Sequence, residues 1–524
     1  MNRSEAPGGV KPAAAIASEE GSLSPAEERF DRWRRRTGLW LGPLAFTLLL
    51  ALPPPGLSAP AARLAAVIAW VLVWWITEAV PLPATAVFGP ALAVVLGVEP
   101  ARDAFSPFGD PVIFLFLGSF LLARAMSVHG LDRRLAGAVL ALPAASATPV
   151  RVVLSFTALS AGLSMWLSNS ATTAMLYPIA LGVVGSLVPG GGRGSPLARA
   201  VLLACAYGAS IGGIATPVGS PPNLVAIGQI ASLAGIRIGF VSWMLLALPL
   251  TLAMLAATLA ILALRLRRRG GPVARRAPHG AASGPMSPGE RSVTFAFLAT
   301  VTCWVAPGIL GLLLGSDHPL AASLTRALPE GAVAVLGAAL LFILPAGGEG
   351  KRRALSWEEA VGIDWGTLLL FGGGLSLGGA MFRTGLSEAV GHGLVAVTGD
   401  EAVGHGLVAV TGVSTTVGLT VVFTVFAIFF TEVTSNTAAA TMLVPLAIAA
   451  AQAAGASPLE PALGCALGCS MAFMLPVATP PNAIVYGSGL VPLPTMIRAG
   501  FFLNLAASLI ISAGVLLLVP LVFG

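Results

Sequence analysis

Two short polar motifs, each present twice, hold the chemistry available to this sequence. Ser168-Asn169-Ser170 is matched by Ser435-Asn436-Thr437, and Ser220-Pro221-Pro222-Asn223 by Thr479-Pro480-Pro481-Asn482, all within long apolar runs. Where small hydroxyl and amide residues open a helix, the first backbone N–H groups lack helical partners and, with the helix dipole, attract an anion such as a carboxylate. The same tips offer hydroxyl, amide and carbonyl oxygens that suit a hard cation such as sodium. Prolines lack an N–H and break the helix, leaving carbonyls in need of a partner that a cation could supply. Ser164 and Thr431, one turn before each tip, add oxygens in matching places. A single motif of this kind suits close helix packing equally well. The matched pair, with matched breaks, argues for an anion site with co-bound cations.

The elements that must position these residues are membrane helices. Of 524 residues, 56% are hydrophobic and 10% charged, with a mean hydropathy of +0.88. A soluble domain carries about a quarter charged residues, whereas a bilayer accepts apolar surface on every side. The net charge of +6 comes from short basic clusters between apolar runs. These read as topology signals rather than a nucleic-acid surface, so no nucleic-acid partner is expected. Cys205, Cys303, Cys465 and Cys469 lie in apolar segments and read as buried small hydrophobes.

Residues 1–36 are polar and read as a disordered cytoplasmic tail rather than a cleaved signal peptide. Arg32, Arg34, Arg35 and Arg36 abut the first apolar run, Leu39 to Leu52, which keeps the N-terminus inside. The first transmembrane half is expected over 37–264, with an inner re-entrant hairpin at about 150–187. A cytoplasmic linker rich in Arg, Gly and Pro follows at 265–292. The second half, 293–524, carries an outer hairpin at about 414–452. Six crossings before the linker and five after it give about eleven transmembrane helices plus two hairpins. This all-α polytopic chain would then have its C-terminus outside, and a plasma (inner) membrane location is expected.

The halves repeat each other. Phe116-Leu-Gly118 matches Phe371-Gly-Gly373, Ala125-Met126 matches Ala380-Met381, and Gly130-Leu131 matches Gly385-Leu386, all offset by 255. The tip motifs, extended to Pro178 and Pro445, are offset by 267, and the Pro-Pro-Asn motifs by 259. The jump has a visible cause: EAVGHGLVAVTG runs from Glu388 to Gly399 and again from Glu401 to Gly412, an extra copy of 13 residues. Its His392 and His405 read as copied filler rather than metal ligands. An odd number of crossings per unit turns the second half upside down, which is the inverted repeat of secondary transporters.

Enzyme chemistry finds little support. Gly208-Ala-Ser210-Ile-Gly212 fits a nucleophile elbow in letters but lies in an apolar helix pattern. Gly350-Lys351 is followed by Arg352, so no phosphate-binding loop is formed, and no organic cofactor is expected. Energy would come from an ion gradient or exchange. Among acids near apolar runs, Glu78, Asp110, Asp364 and Glu432, the first and third read as structural, and Glu432 is open between a structural acceptor and a proton-coupling group.

These residues resemble the divalent anion/sodium symporter family, whose members carry dicarboxylates, citrate or sulfate. The resemblance rests on the paired tips, the paired Pro-Pro-Asn loops and Trp74-Trp-Ile-Thr-Glu-Ala-Val-Pro-Leu-Pro83, and runs from about Trp74 to the C-terminus. It implies a homodimer in which a transport domain holding both hairpins moves elevator-fashion past a scaffold, with arms at 129–143 and about 384–413. It also implies one sodium near Ser168, Asn169 and Gly219 and another near Thr431, Thr434, Asn436 and Ala478. The anion would touch Asn169, Ser170, Asn436, Thr437, Thr479 and Pro480. Ser170 departs from the Thr usual in the dicarboxylate pattern, which leaves room for another anion such as sulfate. The expected function is sodium-coupled symport of a divalent anion, a C4-dicarboxylate such as succinate. A sodium-independent exchanger or oxyanion carrier on the same fold is the alternative, and an anion channel ranks lower.

Overall fold

The computed structural model describes residues 25–141, 148–188, 194–269, 284–315, 317–347, 352–398 and 415–523. The first half consists of α1 (Pro25–Ala51), α2 (Ala59–Thr77), α3 (Leu82–Val95), α4 (Ala101–Phe105), α5 (Pro111–Val128), α6 (Leu131–Leu140), α7 (Pro149–Ser164), α8 (Asn169–Leu187), α9 (Pro196–Gly212), α10 (Pro221–Ala234) and α11 (Phe240–Arg269). The second half has α12 (Pro288–Leu314), α13 (Pro319–Ala327), α14 (Glu330–Ile343), α15 (Trp357–Ala360), α16 (Trp365–Thr384), α17 (Leu386–Thr398), α18 (Thr415–Phe430), α19 (Asn436–Ala453), α20 (Leu459–Cys469), α21 (Pro480–Gly487) and α22 (Leu493–Phe523). Starts are written in the sequence. Pro opens many of these helices, and Ser58, Asp110, Thr148, Ser168 and Ser195 each accept a first-turn N–H.

The succession α5 to α11 recurs as α16 to α22, so the repeat seen in the residues is a repeat of helices. Both units contain a helix pair broken at the Ser-Asn tip, then a helix broken before Pro-Pro-Asn. The same close contact forms in each. A Cβ on Gly208 would lie 2.8 Å from the Thr157 carbonyl oxygen, and one on Gly464 would strike the Thr424 hydroxyl. Thr157 and Thr424 are offset by 267 like the tips that follow them. Glycine at these places lets a hairpin arm lie against a broken helix with backbones almost touching.

The units are stitched across the pseudo-symmetry. Tyr207 on α9 donates its hydroxyl to the Phe473 carbonyl at 2.8 Å, and Gln229 on α10 donates to the Thr441 carbonyl on α19 at 3.2 Å. The N-terminal pair α1–α2 stands against α3 and α16. There Arg34 reaches Glu78 at 3.2 Å and Asp31 at 2.8 Å.

Several boundaries differ from the sequence reading. α1 begins at Pro25, so the end of the tail expected to be disordered is helical, because Asp31 pairs with Arg34 and Arg35 one turn on. The linker is shorter than 265–292, since α11 continues through Arg269 and α12 starts at Pro288, where Ser287 and Glu290 form a capping box. Residues 1–24, 270–283 and the second copy of the tandem segment lie outside the described residues. Among the described helices, eight are long and apolar enough to cross a membrane, and a ninth if α13 and α14, bent by 58°, form one span. Two of the eight, α8 and α19, are arms of the expected hairpins; the other expected crossings are α1, the short α3 and the two helices divided before Pro-Pro-Asn, whose halves are too short singly. The chain is an all-α, multi-pass membrane protein.

Close packing gives a direct test. A methyl on Gly212 would strike the Ala161 backbone, while Gly162 has open space around its Cβ position. Gly212→Ala should destabilise the protein by about 1–3 kcal/mol, whereas Gly162→Ala should be neutral or stabilise it by up to about 1 kcal/mol. Thermal midpoints of the two purified variants decide; equal midpoints would contradict the packing.

Candidate functional site

Four helix N-termini converge on one cavity of about 740 Å³. Ser168, Asn169, Ser170 and Ala171 enter it from the start of α8, and Ser435, Asn436 and Thr437 from the start of α19. Ser220 and Pro221 open α10, and Thr479, Pro480 and Pro481 open α21, on the same walls. All six residues expected to touch the anion line this cavity, as do Ser168, Gly219 and Ala478 of the expected sodium ligands. Thr431 and Thr434 are not in the lining but buried behind it.

Each tip is tied by the same bond in the same register. Ser164 Oγ donates to Asn169 Oδ1 at 2.7 Å, and Thr431 Oγ1 donates to Asn436 Oδ1 at 2.7 Å. The bond turns each asparagine's Oδ1 back toward its own hairpin arm. It leaves the amide nitrogen and the following N–H groups for other partners. The tips are not identical. Ser168 Oγ accepts the Ala171 N–H at 3.2 Å, so one of the donors expected to be open is taken, whereas Ser435 makes no such cap.

The Pro-Pro-Asn motifs do a job that the sequence reading missed. Asn223 Nδ2 donates to the carbonyls of Gly213 and Thr216, both at 2.8 Å. Asn482 Nδ2 donates to those of Ala472 and Leu475, at 3.1 and 3.0 Å. In both halves the asparagine reaches back ten and seven residues and clamps the unwound backbone before it. The Asn repeated two residues after the helix start in both halves was the available signal, but the carbonyls it clamps are set by the path of the break.

Buried oxygens cluster behind the tip in each half. A Cβ on buried Gly219 would sit 2.6 Å from the Gly213 carbonyl oxygen, 2.9 Å from that of Ser164 and 3.0 Å from that of Met165. One on Gly213 would strike Asn169 Oδ1. Glycine therefore keeps open a nest of carbonyl and amide oxygens of the type hard cations take. On the other side, the one Thr431 hydroxyl proton is shared between Asn436 Oδ1 and the Cys469 carbonyl, 2.9 Å away, and the buried Thr434 Oγ1 has no hydrogen-bond partner among the described residues. A buried hydroxyl without a partner is costly unless a ligand supplies one.

The remaining wall includes Glu78, Arg124 and Asp364. Glu78 is engaged by Arg34, and Asp364 accepts the Thr367 N–H at 3.1 Å and its hydroxyl at 2.5 Å, so both have structural roles. Arg124, on α5, is the one basic side chain among the described lining residues, and sequence patterning gave no reason to single it out. Ser210, at the centre of the elbow-like motif, is buried inside α9, not on a strand-to-helix turn.

A family model described as the sodium:sulfate symporter transmembrane region matches residues 37–523. The chain belongs to the sodium:sulfate symporter family. It is 33% identical over 500 residues to the sodium-dependent dicarboxylate transporter SdcS of Staphylococcus saprophyticus, covering 93% of this chain and 92% of the relative. The SdcS protein of Staphylococcus aureus is equally similar, 33% over 501 residues with the same coverage. Among solved structures, the Alcanivorax borkumensis YdaH transporter superposes with a TM-score of 0.52 at 14% identity, over 94% of this chain and 99% of that one, a likeness of fold. For this member of the symporter family, Gly219→Ala should fill the first oxygen nest. Titrating purified protein with sodium chloride against choline chloride should show less than about half the wild-type sodium-dependent rise in Tm. An unchanged rise would remove the nest from consideration.

Proposed function

We propose that the protein is a sodium-coupled symporter of a divalent anion, a C4-dicarboxylate such as succinate. The observation that carries this reading is the convergence of four helix N-termini on one cavity, with buried oxygens clustered behind each Ser-Asn tip. Neither tip carries a Lys or Arg. With Arg124 the one basic side chain among the described lining residues, co-bound cations and helix dipoles balance most of the anion's charge, which makes anion binding depend on sodium. One sodium lies by Ser168, Asn169 and Gly219, the other by Thr431, Thr434, Asn436 and Ala478. The carboxylates meet Asn169 and Ser170 at one end and Asn436, Thr437, Thr479 and Pro480 at the other. The two SdcS relatives, named as sodium-dependent dicarboxylate transporters, support the choice of ion and substrate class.

Several finer features belong to the same proposal. The protein acts as a homodimer in the plasma membrane, with its N-terminus cytoplasmic and its C-terminus outside. The hairpins and broken helices move together, elevator-fashion, against the rest. The cavity reaches Glu78, which pairs with Arg34 of the N-terminal arginine cluster. With that cluster cytoplasmic, the cavity faces inward.

Radiolabelled succinate uptake into proteoliposomes, with an inward sodium gradient and with choline in its place, tests the coupling. Uptake with sodium alone is expected; sodium-independent uptake would indicate an exchanger, and sulfate competition reads the anion class. Within the same assay, Asn436→Ala removes a cation ligand and an anion donor together, and should lower uptake about tenfold or more. Ser376→Ala, a buried hydroxyl away from the cavity lining, should stay near wild type. Equal uptake by the two variants would contradict the placement of the site.

A further inference from the structure

The two half-sites are not electrically equivalent. By the tip offset of 267, Glu432 in the second half stands where Met165 stands in the first. The breaks also differ in length. Both begin alike, with Ile214 N–H to the Ile211 carbonyl and Ala215 N–H to Gly212, matched by Ser470 to Leu467 and Met471 to Gly468. The glycines Gly208 and Gly212 are offset by 256 from Gly464 and Gly468, but the clamping asparagines by 259, so the second break is three residues longer.

Glu432 takes up three consecutive N–H groups of that longer break. Its Oε1 accepts Phe473 N–H at 2.7 Å and Met474 N–H at 2.9 Å, and its Oε2 accepts Leu475 N–H at 3.0 Å. Asn504 Nδ2, on α22, donates to Oε1 at 2.8 Å. The residue is 4% exposed. The ion pairs found among the described residues involve Asp31, Glu78, Glu99, Glu290 and Glu359, not Glu432. A buried carboxylate held only by neutral donors still calls for a cation. Its chain neighbour Thr431 and the Thr434 hydroxyl, partnerless among the described residues, belong to the proposed second sodium set.

We propose that Glu432 makes the second half-site the stronger of the two cation sites. It is a positioning residue: it fixes the lengthened α20–α21 break that carries Ala478, and its carboxylate supplies the charge that a sodium among Thr431, Thr434, Asn436 and Ala478 balances. The first half, with Met165 in the equivalent place, binds its sodium through neutral oxygens alone. This inference rests on the symport reading above.

The test is the sodium dependence of Tm for the purified full-length protein, sodium chloride against choline chloride at constant ionic strength. Glu432→Gln should raise the sodium concentration for half-maximal stabilisation about tenfold or more. Glu432→Asp keeps the charge while loosening the hydrogen bonds, and should stay within about threefold of wild type even with a lower sodium-free Tm. An unchanged half-saturation in Glu432→Gln, with a normal wild-type response, overturns the role of Glu432 and leaves symport standing. Should Glu432→Gln not accumulate in folded form, Asn504→Ala removes one donor and leaves the charge: a half-saturation within about threefold supports the inference, and a tenfold rise overturns it. A wild type that sodium stabilises no more than choline defeats the symport reading itself, and this inference with it.

Discussion

Backbone polar groups left unpaired inside a membrane have no water to turn to, and the structure is organised around satisfying them. Each half divides a helix before Pro-Pro-Asn, which leaves carbonyls and N–H groups facing inward. Asn223 and Asn482 clamp two of the freed carbonyls apiece. The starts of α8, α10, α19 and α21 line the cavity. In the proposed function, a bound anion and its cations complete the hydrogen bonding and charge balance that the fold itself leaves incomplete.

Satisfying this constraint twice, in opposite orientation, requires the breaks and tips to meet. Glycines at the arm contacts permit it: Gly208 and Gly212 bring α9 onto α7, and Gly464 and Gly468 bring α20 onto α18. Tyr207 and Gln229 then join one unit to the other through backbone carbonyls. The sequence copies diverge where the chemistry can differ, and the longer second break with its glutamate is the clearest instance.

Much of this was legible in the residues. Apolar runs and polar tips locate the helices and the hairpin breaks, and the repeat offsets pair them. The six expected anion contacts share one cavity because their motifs carry the helix starts that the fold must bring together. Less legible were features set by three-dimensional register. Asn223 and Asn482 looked like accessories to proline rather than clamps, and Glu432 stood open until its four donors were visible. Arg124 sits on an apolar helix whose periodicity gives no sign that one face lines a cavity. The helical start of α1 was hidden by a composition that resembles a disordered tail, because salt bridges at helical spacing do not show in overall polarity.

In the proposed function both half-sites serve one anion together with two cations. A high-resolution cryo-EM map of the protein in sodium and succinate tests it most directly. Anion density should bridge Asn169–Ser170 and Asn436–Thr437, with one cation in the nest bounded by Gly219 and another beside Thr431 and Thr434. Anion density confined to one tip, or cations absent from both nests, would contradict it.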